Sequence, residues 1–254
     1  MAITIKSERE IELMAEAGKI LERVHNELEK ALHPGMSTKD IDTLGEKIIR
    51  SYGCIPSFLN YNGYPASICV SVNQEVVHGI PDKHRIIHEG DIVSLDAGVI
   101  YKGYHSDAAR THAVGEVSEE AKKLIQVTKE CFFEGIKYAK AGNHLFDISG
   151  AIGRYAEERG YGVVRDLCGH GIGTALHEAP EITSYEVGRK GVKLRPGMTL
   201  AIEPMINIGT HEVDWLDDDW TVVTRDGSLS AHYENTILIT EGEPRILSLT
   251  CENE

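Results

Sequence analysis

Gly90-Asp91-Ile92-Val93-Ser94-Leu95-Asp96 and Gly197-Met198-Thr199-Leu200-Ala201-Ile202-Glu203 share one layout: a glycine, an apolar run, and a carboxylate six residues on. Both runs read as strands entered from a turn. The 107-residue spacing between them recurs elsewhere in the chain. Gly35 and Gly142 each stand five residues before an Asp-Ile pair, and Gly53 and Gly160 stand thirteen after those aspartates. Further on, Asp107 lies eight residues before Gly115-Glu116, and Glu234 eight before Gly242-Glu243. That offset is 127, so the second copy carries twenty extra residues between its acids. The matches predict a single domain over 1–254, built from two related halves, about 7–117 and 118–248, around a pseudo-two-fold axis. Each half then delivers two carboxylates to the seam between them.

The elements around these runs follow from local patterns. Ser7-Glu8-Arg9-Glu10 is a capping box, and Ile11, Met14, Ala17, Leu21, Val24 and Leu28 continue at helical spacing. That helix is predicted to stop before His33-Pro34-Gly35, and a second to run from about Thr38 to Tyr52. Ile68–Val72, Ile92–Asp96 and a segment from Asp107 to Val114 read as strands, with Val99–Tyr104 supplying the bend. Helices are predicted again over Ser118–Lys140 and about His144–Gly160. Strands follow at Thr199–Ile206, around Trp220–Thr224 and at Asn235–Ile239. Helices then strands, twice over, points to an α+β fold with sheet covered by helices.

Composition narrows the classes. With 41% hydrophobic residues a sizeable core is available. A net charge of −14 without any Lys/Arg block argues against DNA binding. The five cysteines, Cys54, Cys69, Cys131, Cys168 and Cys251, are widely spaced and form no C-x-x-C, so a reducing compartment is expected. No basic n-region with an apolar core opens the chain, and no apolar run approaches a membrane span. A cytoplasmic protein with no membrane partner is the expectation.

Leu167-Cys168-Gly169-His170-Gly171-Ile172-Gly173-Thr174-Ala175-Leu176-His177 adds two histidines, the first set between glycines that leave space beside it. Alone this is equally a glycine-rich turn with a surface histidine. Asp96 or Glu203 alone is equally a strand-end cap or half of an ion pair. Four carboxylates (Asp96, Asp107, Glu203, Glu234) gathered at one point would repel strongly unless cations neutralised them. Four carboxylates with one imidazole suit a pair of divalent ions. Oxygen-rich ligation without thiolate favours Mn, Fe or Co over a structural zinc site.

Taken together, these residues carry a family resemblance. The order Asp96-x10-Asp107, Gly169-His170-Gly171, Ile202-Glu203-Pro204 and Glu234 resembles the type I methionine aminopeptidases, of the pita-bread fold. So do Tyr61-Asn-Gly-Tyr64-Pro, Val77-His78-Gly-Ile-Pro81, Leu95-Asp-Ala-Gly98, His177-Glu-x-Pro180 and Arg195-Pro-Gly-Met198. The resemblance covers nearly the whole chain and implies a single catalytic domain that removes N-terminal methionine from nascent polypeptides when the second residue is small.

It also implies roles. Asp96 would hold one metal, Asp107 and Glu234 would bridge two, and His170 and Glu203 would complete the second ion's shell. The ions would be Co, Mn, Fe or Zn. Glu203 would also shuttle a proton, His177 would donate to the scissile carbonyl, and His78 would contact the scissile amide. Phe58, Tyr61, Tyr64, Cys69, Leu176 and Trp220 would line the methionine pocket. A short form without a zinc-finger extension or type II insertion is expected, acting as a monomer in transient contact with the ribosome. Its own Met1-Ala2 start fits the small-second-residue rule. Asn62, Leu167 and Ser184 depart from residues common in the family at those positions. A proline-specific relative and a metal-free binding protein of the same fold are the competing readings. The first usually carries a separate N-terminal domain, and the second would be expected to lose ligands.

Overall fold

The computed structural model describes residues 2–249; Met1 and Cys251, named above, lie outside them. Helix α1 spans Glu8–Ala31 and starts with the capping box, the Ser7 N–H donating to Glu10 at 2.7 Å. It ends as the chain extends through Leu32 toward Pro34, which disfavours a further turn. Helix α2, Thr38–Ser51, is capped by Ser37 and Asp40. Helix α3, Glu119–Ile136, begins at Ser118, and α4, Leu145–Glu157, is boxed by His144 and Asp147. The spacing had carried α3 on to Lys140. Instead Tyr138 and Ala139 donate back only three residues, to Gly135 and Ile136, and the helix tightens into a turn.

The same local geometry recurs at the 107-residue offset. Gly35 and Gly142 both have φ of 94°, a left-handed conformation that glycine adopts without strain. Gly35 N–H donates to the Ile87 carbonyl and Gly142 N–H to the Leu194 carbonyl, while Ser37 bridges to Ile86 and His144 to Lys193.

The helices cover one face of a nine-stranded sheet whose pairings are antiparallel. Its order is Ile55–Pro56, Ile92–Tyr101, Tyr104–Ala113, Glu234–Leu238, Thr199–Ile202, Gly169–Gly171, Glu178–Ile182. Ile68–Val72 also pairs with Ile92–Tyr101, and Arg245–Ile246 with Glu234–Leu238. Side chains alternate across a strand, so each run splits between two faces. Val93, Leu95, Ala97 and Val99 pack into one core with Leu21, Val24, Ile41 and Ile48 of α1 and α2. Leu200, Ile202 and Ile237 pack with Leu124, Phe132, Ile148 and Ile152 of α3 and α4. The intervening residues, Asp96 among them, face the other way.

Two strand expectations change in detail. Asp96 sits in the middle of the ten-residue strand Ile92–Tyr101 rather than at its end, because the hairpin turns only at Lys102-Gly103. Both turn residues have positive φ, 49° and 87°, which suits the twist of a two-residue hairpin. The predicted strand Thr199–Ile206 is broken at Glu203-Pro204, since proline offers no N–H to a ladder. It resumes as Met205–Asn207 in a separate sheet with Gly162–Val163 and Ser230–His232.

The twenty extra residues of the second half also gain a place. They include a hairpin, Val213–Trp215 with Val222–Thr224, that pairs onto Glu75–Val77 of the first half and carries Trp220 across. Among the described residues no helix is long and apolar enough to cross a membrane.

Candidate active site

Strand register assembles the site. Residues directly opposite in a ladder share a face, as do residues two apart. Cys69 pairs with Asp96, Asp96 with Ala109, and Ala109 with Glu234. Asp107 lies two from Ala109, and Thr236 two from Glu234. Thr236 pairs with Ala201 and Ala201 with His170, while Glu203 lies two beyond Ala201. Asp96, Asp107, His170, Glu203 and Glu234 therefore stand on one face, opposite the helices. Asp107, His170 and Glu234 are buried and offer ligand atoms within 4.8 Å of one another, a group able to hold a metal ion. His170 Nε2 lies 3.8 Å from Asp107 Oδ2 and 3.7 Å from Glu203 Oε1.

The electrostatics of the cluster are those of charge without counter-charge. Burial, then repulsion from Asp96 and Glu203, holds the Asp107 carboxyl well above its usual range. Burial and Asp107 do the same to Glu234. Burial lifts Asp96 to about 7 and Glu203 to about 8. Asp96 Oδ1, Asp107 Oδ1 and Glu234 Oε1 are buried with no hydrogen-bond partner. Burial pushes the His170 imidazole down to about 3, so it is neutral. Its Nδ1–H donates to the Gly171 carbonyl at 2.9 Å, which leaves the Nε2 lone pair facing the acids. Unpartnered buried carboxylate oxygens converging with a free imidazole nitrogen are what a divalent cation compensates. The residues fit a metal, and their donor set is mostly oxygen.

A supporting layer lies behind, which the sequence reading missed. Thr236 and Asp107 exchange two bonds of 2.9 Å, hydroxyl to backbone carbonyl and backbone N–H to hydroxyl. The buried Arg110 guanidinium donates to the Glu234 carbonyl and, at 2.6 Å, to Asn235 Oδ1, with its carbon 4.5 Å from the Tyr233 ring centre. His232 Nε2 lies 3.6 Å from Glu203 Oε2, and burial keeps that ring neutral. Thr236 and His232 flank Glu234 at two residues on either side, so period-two alternation was the available signal. Arg110 carried none.

Beside the acids lies a cavity of about 290 Å³. It is lined by Phe58, Tyr61, Tyr64, Cys69, Leu176 and Trp220, with His78 and His177 also on its surface. Asn62, Val77, Leu167, Cys168 and Met205 contribute to the lining as well; Ser184 is buried and does not. A Cβ at Gly98 would meet Ser57 and Phe58 at under 3 Å, so glycine there makes room for the Phe58 ring. Tyr64 satisfies its hydroxyl by donating to the Gly79 carbonyl at 2.9 Å, and its ring meets the edge of Trp220 at 5.1 Å. Burial holds the Cys69 thiol protonated, an apolar wall rather than a ligand.

His78 has φ of 58°, a strained position for a non-glycine residue, and lies 6.3 Å from Trp220. His177 stands 4.2 Å from the His170 ring, its Nδ1 2.7 Å from the Tyr61 hydroxyl.

Buried acids and one imidazole on the open face of a helix-backed curved sheet, beside an apolar cavity, define a metal-dependent hydrolase of the pita-bread class. The model of metallopeptidase family M24 matches residues 12–241. The chain is 58% identical over 250 residues to a methionine aminopeptidase of Clostridium acetobutylicum, covering 98% of this chain and 100% of that one. It superposes on the methionine aminopeptidase of Thermotoga maritima with a TM-score of 0.96 at 46% identity, over 98% and 100% of the two chains. For that of Rickettsia prowazekii the TM-score is 0.95 at 40% identity, again over 98% and 100%. The chain belongs to metallopeptidase family M24 and, within it, to the type I methionine aminopeptidases.

Proposed function

We propose that Asp96, Asp107, His170, Glu203 and Glu234 hold two divalent ions, with Asp107 and Glu234 shared between them. The activity they serve is metal-assisted hydrolysis of the first peptide bond, which removes N-terminal methionine from nascent chains. One observation carries the reading: four carboxylates and one imidazole share one sheet face, beside a cavity of about 290 Å³ lined by aromatic and aliphatic groups. When bound, divalent ions supply Lewis-acid polarisation of the scissile carbonyl and lower the pKa of the attacking water.

The chain's own residues supply the rest. Glu203, ionised once cations occupy the site, takes the proton from the attacking water and passes it to the leaving amine. Burial holds the Tyr61 phenol protonated and the His177 ring neutral. Tyr61 then donates to Nδ1, Nε2 keeps the ring proton, and Nε2–H donates to the carbonyl oxygen as negative charge develops. His78 contacts the scissile amide. Phe58, Tyr61, Tyr64, Cys69, Leu176 and Trp220 accept an unbranched thioether side chain against ring edges. With His78 and His177 both beside the cut, only a small second residue fits.

The test is hydrolysis of Met-Ala-Ser beside an X-Pro peptide, with and without chelator. Chelator-sensitive cleavage of Met-Ala-Ser alone is expected. Preference for the X-Pro peptide would move the substrate class to proline. The metal in the cell is Co, Mn, Fe or Zn, to be settled by metal analysis of protein purified without added metal. Action on nascent chains supports a cytoplasmic enzyme, and we propose that it works as a monomer in transient contact with the ribosome. Sedimentation and ribosome pelleting test both.

A further inference from the structure

Lys6 and Glu178 form an ion pair whose side chains are only 5% and 11% exposed, although 172 residues separate them. Lys6 precedes α1, and Glu178 follows His177. The ammonium lies 2.6 Å from Glu178 Oε2, and the Thr4 hydroxyl donates to the same oxygen at 2.5 Å. The ammonium also donates to the Thr4 hydroxyl oxygen. Lys6 N–H donates to the Gly197 carbonyl at 2.8 Å, so the backbone of the segment is held as well.

The other carboxylate oxygen faces the turn that precedes it. Glu178 Oε1 accepts the Ala175 N–H at 3.3 Å and closes the turn from 175 to 178. That turn carries Leu176, on the cavity wall, and His177. The pair is packed directly on the glycine-rich loop: a Cβ at Gly173 would fall 2.5 Å from both Glu178 Oε1 and Lys6 Cε.

Burying an ammonium and a carboxylate is costly, and an apolar pair would dock the segment equally well. What the ion pair adds is direction. One carboxylate oxygen is fixed by Lys6 and Thr4, which aims the other at the turn. We propose that Lys6 is a positioning residue that acts through Glu178 to set the turn presenting His177 to the scissile carbonyl. This rests on the role given to His177 above.

The test is a double-mutant cycle of Lys6→Met with His177→Ala on Met-Ala-Ser. Lys6→Met alone lowers kcat about tenfold, in the range that misplacing a reacting group costs. Mn content stays at the wild-type level, since Lys6 bonds to Glu178 and Thr4 and to none of the proposed ligands, and KM changes less than kcat. Lys6→Arg restores most of kcat, and Thr4→Val gives a smaller loss. In the His177→Ala background, Lys6→Met has no further effect on kcat. An unchanged kcat for Lys6→Met, or the same fold-loss in both backgrounds, overturns the proposal. Glu178→Gln, which keeps an acceptor while removing the charge, runs the same cycle if Lys6→Met does not fold. Wild-type kcat in His177→Ala alone would overturn the role of His177 instead, so the two failures are distinguishable.

Discussion

Stripping the metal should leave a protein whose stability falls as pH rises, with Asp96 one of the buried acids responsible, and substituting Asp96→Asn should show its share. Burial raises this carboxyl from 3.8 to about 7. A folded-state pKa above the unfolded one means the native chain holds the proton more tightly. The contribution is whole below about pH 4 and is lost as pH rises toward 7. At about 1.4 kcal/mol per unit, the loss is roughly 4 kcal/mol. For a chain of this size that corresponds to about 10 °C in Tm.

The buried histidines His78, His170 and His232, all depressed, change stability the other way below about pH 6.5, where imidazoles of the unfolded chain protonate. His78 and His170 cancel when wild type and Asp96→Asn are compared at the same pH, while the groups that Asp96 itself shifts, His232, Asp107 and Glu234, add to the difference. In chelator, the Tm of Asp96→Asn minus that of wild type should rise by about 10 °C between pH 4 and pH 8. With Mn added at pH 8 the difference should reverse, because the variant binds the ion less well and loses its stabilisation. Differential scanning calorimetry reads both. A difference that stays flat with pH in chelator would refute the reasoning.

Three further outcomes are expected. Asp107→Ala and Glu234→Ala should weaken metal binding more than Asp96→Ala, because a shared ligand loosens both ions; normal two-ion affinity by calorimetric titration in Asp107→Ala would remove it from that role. His177→Ala should lower kcat by about 100-fold with metal content intact, and loss of metal by elemental analysis would make it a ligand instead. Met-Ala-Ser should be cut with far higher kcat/KM than Met-Leu-Ser or Met-Lys-Ser, and formyl-Met-Ala-Ser should resist because a free substrate amine would lie near the acidic groups; equal rates across the first three, or cleavage of the formyl peptide, would count against a tight site that needs that amine.

What the sequence determined by itself was local or repeated. Helix starts at Ser7, Ser37, Ser118 and His144 follow from capping over three or four residues. Apolar periodicity named Ala17, Leu21, Val24 and Leu28 of the core under the first helix. The acids at the equivalent strands were legible because burying a carboxylate in an apolar run needs a reason, and their order with His170 carried the resemblance. The tertiary structure decided what depends on pairing between distant segments. Register puts Asp96, Asp107 and Glu234 on one face; a local hairpin sets it for the two aspartates, and pairing between strands more than 100 residues apart brings Glu234 to them. The break at Pro204 follows from a missing donor, yet the sheet that Met205 joins is chosen by contact with Val163 and Ala231. Tyr61 meets His177 across 116 residues, and Lys6 meets Glu178 across 172. No spacing rule encodes such contacts, because side-chain periodicity records which face a residue takes and not what the fold brings against it.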